Sequence, residues 1–193
     1  MARPISSYSR TAILLHWIIA VLVFTNIIAA ITMKNLGGSA DPADKELAGA
    51  IVQFHKSTGL TVLTLSIVFL AHRLLAGGPA LPPHMTAVER ALARLTHWGF
   101  YVLLILLPLA GWIMVSANPR GNPILWYGWF DWPRLPVPRG KELQGMASGS
   151  HEALAITMVA LILLHVAGAL KHQFLDRDQV LARMLPWLKR TGT

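Results

Sequence analysis

The stretch HEALAITMVALILLHVAGALKH, residues 151–172, decides the fold. It is mostly apolar, and in lipid a run of this length is expected to be helical, because only helices and closed barrels pair all of their backbone polar groups there. His151 and His165 lie 14 residues apart. At about 100° and 1.5 Å per residue, both imidazoles leave nearly the same helix face, about 21 Å apart along the axis. That spacing suits two metal centres stacked across a bilayer, for which the rest of the chain has to supply partners.

Composition indicates an integral membrane protein. The chain has 193 residues, of which 54% are hydrophobic and 13% are charged, and this is too apolar for an ordinary soluble domain. There are no cysteines, which excludes disulfides, thiolate-ligated iron–sulfur clusters, Cys-rich zinc sites and c-type haem attachment. In so apolar a chain, the net charge of +8 indicates loops that face anionic lipid rather than nucleic acid.

Four apolar segments, at about 11–33, 47–75, 91–117 and 150–174, are long enough to span a bilayer. The first of them has no charge and no small-residue cleavage site, so we expect a retained helix rather than a signal peptide. The longest connection, between the third and fourth segments, is rich in Trp and Pro and is expected to lie at the membrane interface. The sequence predicts an all-α membrane protein, with residues 1–193 as a single domain built on a bundle of four transmembrane helices. The basic stretch after the fourth segment is expected to form a short surface helix.

The distribution of positive residues predicts the orientation. Four spans place both termini on one side, and that side carries ten basic residues against seven on the other. The positive-inside rule therefore places the termini in the cytoplasm. The ten are Arg3, Arg10, Arg73, Arg90, Arg94, Lys171, Arg177, Arg183, Lys189 and Arg190, and the seven are Lys34, Lys45, Lys56, Arg120, Arg134, Arg139 and Lys141.

Four histidines divide into two pairs by depth. His16 enters from the cytoplasmic face about 9 Å inside Arg10, and His165, on an antiparallel helix, lies about 9 Å short of Lys171. His55 and His151 both lie at the periplasmic starts of their helices. A single histidine in an apolar helix is often a hydrogen-bonded packing residue, but ionisable residues in spans usually face the bundle interior and mark functional sites. Without cysteines or a carboxylate cluster, the two pairs predict bis-imidazole iron in two b-type haems, His16 with His165 and His55 with His151.

The other polar residues near these levels have less specific roles. His97 and His172 both lie near the cytoplasmic rim and are candidates for a quinone head-group or propionate site. His172 leaves nearly the same face as His165 and competes with it as a ligand, but the depth of His16 favours His165. His72 is expected to be an interfacial residue and His84 a solvated loop residue. Lys56 outside and Arg73 inside are candidate partners for haem propionates.

In order along the chain, the segments YSRTAILLHW, FHKSTGL, LLPLAGWIM with WYGWFDWPRLP, and HEALA…LLHVAGALKHQF resemble the bacterial cytochrome b561 family. The resemblance covers residues 8 to about 186. It implies a four-helix di-haem cytochrome of the inner membrane, with His16, His55, His151 and His165 as the axial ligands. One branch of this family, superoxide oxidase, passes electrons from periplasmic superoxide to ubiquinone, and the resemblance extends to His97 and His172. The loop between the third and fourth helices is longer and more basic here than expected of that branch.

We therefore expect a transmembrane electron conduit that binds two haem b groups and acts as a superoxide:quinone oxidoreductase, with ubiquinone as the acceptor. The alternative is a cytochrome b anchor subunit that passes electrons between quinone and a partner dehydrogenase or a soluble cytochrome. A haem-free transporter is disfavoured by the histidine pattern. Membrane lipid, quinone, a periplasmic electron donor and a redox subunit are the expected partners, and no nucleic acid is expected.

Overall fold

Four long helices form the protein, as the sequence predicts. The computed structural model describes residues 7–121 and 123–188, so Arg3, Lys189 and Arg190 of the orientation argument lie outside the described residues. All four helices are long and apolar enough to cross a membrane. They are α1 (Arg10–Gly37), α2 (Pro42–Ala76), α3 (Ala87–Ser116) and α4 (Lys141–Lys171).

Three of the helices begin at capping residues that lie outside the apolar segments. The Ser9 side chain accepts from the amide of Ala12, and Asp41 caps α2 by accepting from Ala43. Thr86 and Glu89 form a capping box at the start of α3. Such side chains satisfy amides that have no intrahelical partner. The helices are therefore longer than the apolar segments, and α4 begins at Lys141 rather than at about residue 150.

The core lies between the helices, and large apolar side chains also cover the outer surface. α1 packs on α2, α2 on α3 and α3 on α4. Side chains from all four helices meet in the interior: Ala12, Ile19, Val62, Phe69, Leu103, Leu104 and Met158. Large apolar side chains such as Val21, Ile156 and Leu163 are more than half exposed. An apolar exterior on long helices is what lipid contact requires.

The connection between α3 and α4 contains a short antiparallel hairpin that the sequence did not predict. Its strands are β1 (Leu125–Trp126) and β2 (Phe130–Asp131). The hairpin is fastened to α2, because Tyr127 N–H donates to Ser57 Oγ at 2.9 Å and the Ser57 hydroxyl donates to the Leu125 carbonyl at 3.0 Å. We call this end of the bundle the hairpin side.

The opposite end, which we call the terminal side, holds the start of α1, the α2–α3 loop and the segment after α4. A π-helical turn, His172–Asp176, follows α4 directly. The basic stretch beyond it folds as two 3-10 turns, Leu181–Arg183 and Pro186–Leu188, rather than as one surface helix. Trp17 Nε1 donates to the Met184 carbonyl at 2.9 Å, so this stretch returns to α1.

Candidate cofactor-binding site

On the hairpin side, His55 of α2 and His151 of α4 face each other with ring centroids 6.1 Å apart. His55 Nδ1 donates to the Asn26 carbonyl of α1 at 3.2 Å, and His151 Nδ1 donates to the Leu107 carbonyl of α3 at 3.0 Å. Because a carbonyl only accepts, each Nδ1 carries the ring proton and each Nε2 has a free lone pair. Each imidazole is thus held by a helix other than its own.

Small residues give these two rings access to the carbonyls. A Cβ added to Gly111, one turn beyond Leu107, would lie 3.1 Å from His151 Cε1 and 3.2 Å from Nδ1. The ring therefore packs where any other residue would place a side chain. Ala30 has the corresponding position one turn beyond Asn26. The Leu107 carbonyl is reachable because Gly111 has no side chain.

On the terminal side, His16 of α1 and His165 of α4 face each other with ring centroids 6.3 Å apart. A third imidazole joins them, since His97 of α3 lies 5.7 Å from His165 between centroids. Phe100 meets the edge of His165 at 5.2 Å, and Trp17 meets His16 at the same distance. Within the described ranges, neither His16 nor His165 makes a side-chain hydrogen bond. Packing alone therefore positions these two rings.

Arg73, one of the two candidate partners for haem propionates, contacts groups without negative charge. Arg73 Nε donates to Tyr101 Oη at 3.2 Å, its Nη1 donates to the Gly77 carbonyl at 2.7 Å, and its guanidinium lies 5.0 Å from the centre of the Tyr8 ring. No carboxylate within residues 7–121 and 123–188 forms an ion pair with Arg73 or with the half-buried Lys56. Their charges remain available to an anionic ligand.

His97 and His172, predicted to share a site, have separate neighbours. His97 Nδ1 donates to the Ala93 carbonyl at 2.6 Å, and its ring lies against His165. His172 lies beyond α4, where its Nδ1 meets Asp178 Oδ2 at 2.8 Å. No hydrogen bond or ring contact joins the two histidines in the part of the chain that the structure describes.

The Asp178 carboxylate accepts hydrogen bonds from three groups in this region: the His84 ring, the His172 ring and the Val180 amide. Burial alone would raise the pKa of Asp178, but the Val180 amide and the imidazoles of His84 and His172 together hold this pKa below its usual value. The carboxylate therefore stays ionised near neutral pH. His72, at the same end, forms a hydrogen bond with Ser9 Oγ at 3.0 Å.

The model of the family described as prokaryotic cytochrome b561 matches residues 7–187. The chain belongs to this family. It is 29% identical to cytochrome b561 homolog 2 of Escherichia coli over 88% of this chain and 86% of that protein. It is 30% identical to cytochrome b562 of Cereibacter sphaeroides over 92% and 94% of the two chains. A protein of Yersinia pestis named "Probable superoxide oxidase CybB" is 28% identical over 93% of this chain and 96% of its own.

Membership in the cytochrome b561 family establishes the broad function. The protein is a multi-pass protein of the bacterial inner membrane, and the family carries out transmembrane electron transfer with haem b. The resemblance and the four-helix architecture inferred from the sequence are thereby confirmed.

The two imidazole pairs of this cytochrome b561 fit a metal-centred group. An imidazole nitrogen binds a transition metal at about 2 Å, so two rings on opposite sides of one ion have their facing nitrogens about 4 Å apart and their centroids about 6 Å apart. The measured centroid separations are 6.1 and 6.3 Å. Neutral imidazole is also the ligand type that suits iron. The assignment of these four residues as haem ligands remains a prediction.

Sequence reasoning missed several residues that shape these pairs. A glycine such as Gly111 indicates only a helix breaker in the linear sequence, and nothing there shows that His151 packs against it. Asn26 and Leu107 contribute backbone carbonyls, which every residue possesses and no motif can reveal. The contact between His97 and His165 depends on the rotation of α3 against α4, and the single available signal was that His97 lies near the same level.

Proposed function

We propose that this cytochrome b561 carries electrons across the inner membrane through two b-type haems, from superoxide on the hairpin side to ubiquinone on the terminal side. One observation carries the proposal. Two imidazole pairs, His55 with His151 and His16 with His165, lie at opposite ends of one bundle, and each has ring centroids about 6 Å apart.

The hairpin side is assigned to the periplasm and the terminal side to the cytoplasm. In the topology that the sequence predicts, ten of the seventeen basic residues belong to the side of the two chain termini, and positive residues accumulate on the cytoplasmic side of membrane proteins. The aromatic hairpin then lies at the periplasmic interface, where Trp and Tyr side chains favour the head-group region.

Haem, when bound, supplies reversible one-electron chemistry, and the protein supplies ligation, orientation and electrostatics. The His55 and His151 rings are held with Nδ1 protonated, which leaves Nε2 to bind iron. His16 and His165 form the second ligand pair. Arg73 and Lys56, which have no carboxylate partner in the described residues, would neutralise propionates at the two levels. Beside Arg73, a cavity of 230 Å³ is lined by Tyr8, Ser9, Ala12 and the 76–78 segment.

His97 and His172 are proposed to act at the cytoplasmic level, where quinone is reduced. His97 lies against His165, so it would adjoin the haem edge. His172 lies beyond the helix end beside ionised Asp178, where a proton can be passed between water and a bound quinone. Protonation from the cytoplasmic side is required because quinone reduction takes up protons as well as electrons.

Two observations support superoxide as the electron donor. One is the similarity to the Yersinia pestis protein named "Probable superoxide oxidase CybB", and the other is a local cluster of positive charge on the hairpin side. The hairpin side has seven basic and six acidic residues, a net charge of only +1. Electrostatic attraction of superoxide would therefore depend on where the basic residues lie and not on the net charge of this side. Arg134 Nη2 donates to the Gly121 carbonyl, and a Cβ on Gly121 would lie 3.5 Å from Arg139 Nη1. The guanidinium groups of Arg134 and Arg139 thus both lie close to Gly121, and clustered positive charges speed the association of anions.

The haem proposal is tested by a pyridine haemochrome assay on purified protein. Two haem b per chain are expected, both low-spin and six-coordinate, because each iron would be held by two imidazoles. One haem per chain, or high-spin spectra at both sites, would contradict the pairing.

The donor is tested by stopped-flow haem reduction with superoxide at rising ionic strength. The rate should be fast and should fall with salt, and it should fall again when at least one of Lys56, Arg134 and Arg139 is replaced by Gln. Lys45→Gln, on the same side but before α2's apolar part, is the matched control. A slow rate indifferent to salt and to all three changes would remove superoxide as the substrate.

A second candidate function is a cytochrome b subunit that exchanges electrons with a partner protein. It is favoured by the hairpin, whose Trp129 is 81% exposed and whose Phe130 is 47% exposed, because exposed aromatic side chains are enriched in protein interfaces. Purified protein that reduces quinone with superoxide unaided would support the first function. The second function would be supported if electron transfer required a co-purifying redox protein and the Trp129→Ser variant no longer bound that protein.

A further inference from the structure

Three metal-ligating side chains meet on the terminal side, outside both imidazole pairs. His84 Nε2 lies 2.9 Å from Asp178 Oδ2, and His172 Nδ1 lies 2.8 Å from the same oxygen. All three ligand atoms lie within 4.8 Å of one another. The cluster joins the loop between α2 and α3 to the segment that follows α4.

The backbone places Asp178 beneath His172. The π-helical turn His172–Asp176 widens the end of the helix, and Arg177 then adopts a left-handed conformation with φ of 53°. A left-handed conformation is costly for a residue with a side chain, and π turns and such outliers concentrate at functional sites. The reversal brings Asp178 N–H to the His172 carbonyl at 3.1 Å.

The two carboxylate oxygens of Asp178 have different roles. Oδ1 accepts from the Val180 amide at 2.9 Å, which fixes the orientation of the carboxylate. Oδ2 is left for the two imidazoles. The side chains of His172 and Asp178 are 10% and 11% exposed, whereas that of His84 is 53% exposed. Two donors are therefore held in place and the third faces solvent.

We propose that His84, His172 and Asp178 form a binding site for a divalent transition-metal ion of the zinc class. Two neutral imidazoles and one carboxylate are a common donor set for such an ion, with water in the fourth position. In a tetrahedral site with bonds of about 2.0–2.1 Å, ligand atoms lie about 3.3 Å apart. The observed separations to Asp178 Oδ2 are 2.9 and 2.8 Å, and the two imidazole nitrogens lie within 4.8 Å of each other, so an ion could take the place of the ring protons that now face this oxygen.

Nearby charges permit a cation at this position. Lys171, the basic residue that directly precedes His172, is engaged by Glu89 at 2.7 Å and by Asp176 at 2.7 Å. Asp176 Oδ2 is also 3.1 Å from His172 Nδ1, which adds negative charge next to the three ligands. The exposed edge of His84 provides the path by which an ion enters.

A bound ion would link the α2–α3 loop to the segment after α4 through three metal–ligand contacts, in place of the two hydrogen bonds that His84 and His172 now make with Asp178. Haem binding does not depend on this role, because neither predicted haem ligand pair belongs to the cluster. Haem content and zinc binding can therefore be measured separately on the same sample. A bound ion would occupy His172 and Asp178, which are also the pair proposed to pass protons to quinone.

The test is isothermal titration of Zn²⁺ into purified, detergent-solubilised full-length protein that carries no polyhistidine tag, with Mg²⁺ titrated in parallel. One Zn²⁺ per chain should bind, and Mg²⁺ should not compete, because imidazole donors select against it. His84→Ala and Asp178→Asn should each weaken Zn²⁺ binding at least about tenfold. His72→Ala, at the same end but outside the cluster, is the matched control and should bind as wild type. X-ray absorption at the zinc edge should show nitrogen and oxygen donors without sulfur.

Haem absorbance establishes that each variant is folded. If His84→Ala loses its haem absorbance, His84→Gln is used in its place. Absence of Zn²⁺ binding by the wild-type protein would overturn the proposal, and the three side chains would then be a hydrogen-bonded cluster only. Binding that survives both substitutions at wild-type strength would also overturn it. Zinc binding with no haem would contradict the proposed function and leave the metal site supported.

Discussion

The two imidazole pairs of this protein have similar separations but are positioned by different interactions. On the hairpin side, both rings donate hydrogen bonds to backbone carbonyls of neighbouring helices, at 3.2 and 3.0 Å. On the terminal side, His16 and His165 make no side-chain hydrogen bond within residues 7–121 and 123–188, and they are surrounded by Trp17, Phe100 and a third imidazole, His97. The same ring type is thus oriented by polar contacts at one end of the bundle and by packing at the other.

This difference bears on what each pair would do to a bound metal. A hydrogen bond from Nδ1–H to a carbonyl makes the imidazole a more basic ligand and fixes its orientation. A more basic ligand stabilises the oxidised metal. The hairpin-side centre is therefore expected to have the lower reduction potential, which is the order that favours electron flow toward the terminal side.

The largest effect is expected from removing a ligand. His55→Ala and His151→Ala should each lose the same haem, and His16→Ala and His165→Ala should each lose the other, because both imidazoles of a pair would be needed to hold one haem. Each variant should retain about half of the wild-type haem by pyridine haemochrome assay, and His172→Ala should retain all of it. A spectrum of His16→Ala that matches that of His151→Ala would show that the pairs are wrongly assigned.

The next largest effect is expected from adding a bulky side chain next to the hairpin-side imidazole pair, which should leave the terminal-side pair unchanged. Gly111→Leu should remove the hairpin-side haem and spare the other, because a side chain at this position would collide with His151, whose Cε1 lies 3.1 Å from where its Cβ would be. Gly168→Leu is the matched control, since a Cβ there has no heavy atom within 4 Å. Optical spectra of the reduced proteins report the outcome. Equal haem loss in both variants would point to a general folding defect.

A smaller effect is expected in the reduction potentials. A net hydrogen bond of about 1 kcal/mol corresponds to about 40 mV for a one-electron couple, so the hairpin-side haem should lie lower than the other by at least about this amount. Potentiometric titration measures both centres, and the ligand variants identify which is which. The reverse order would mean that the propionates or the local charge outweigh the carbonyl hydrogen bonds.

The smallest effect is expected at His97. Because its ring contacts His165 and not the hairpin-side pair, His97→Phe should keep both haems and change the potential of the terminal-side haem alone, by about 40 mV or less. Trp98→Phe, one residue away on an exposed face of α3, serves as the control. Loss of the terminal-side haem in His97→Phe would instead identify His97 as a ligand in place of His16.

Much of the bundle follows from local rules. The apolar segments predicted four helices because lipid leaves the backbone no other way to pair its polar groups. Their ends were misplaced, most of all at α4, because Lys141 and the small polar residues after it continue the helix beyond the apolar stretch. The hairpin was missed since its strands have only two residues each and are held by Ser57, a residue of a distant helix.

By itself, the sequence determined the number of spans, their order and the depth of each histidine, because helical rise converts residue number into height. It also determined which histidines could meet, since antiparallel helices bring equal depths together. Only the tertiary structure decided which atoms surround each ring: the carbonyls of Asn26 and Leu107, the space above Gly111, and the contact of His97 with His165. Those depend on how each helix is rotated about its axis against its neighbours, and that rotation results from the packing of all four helices at once.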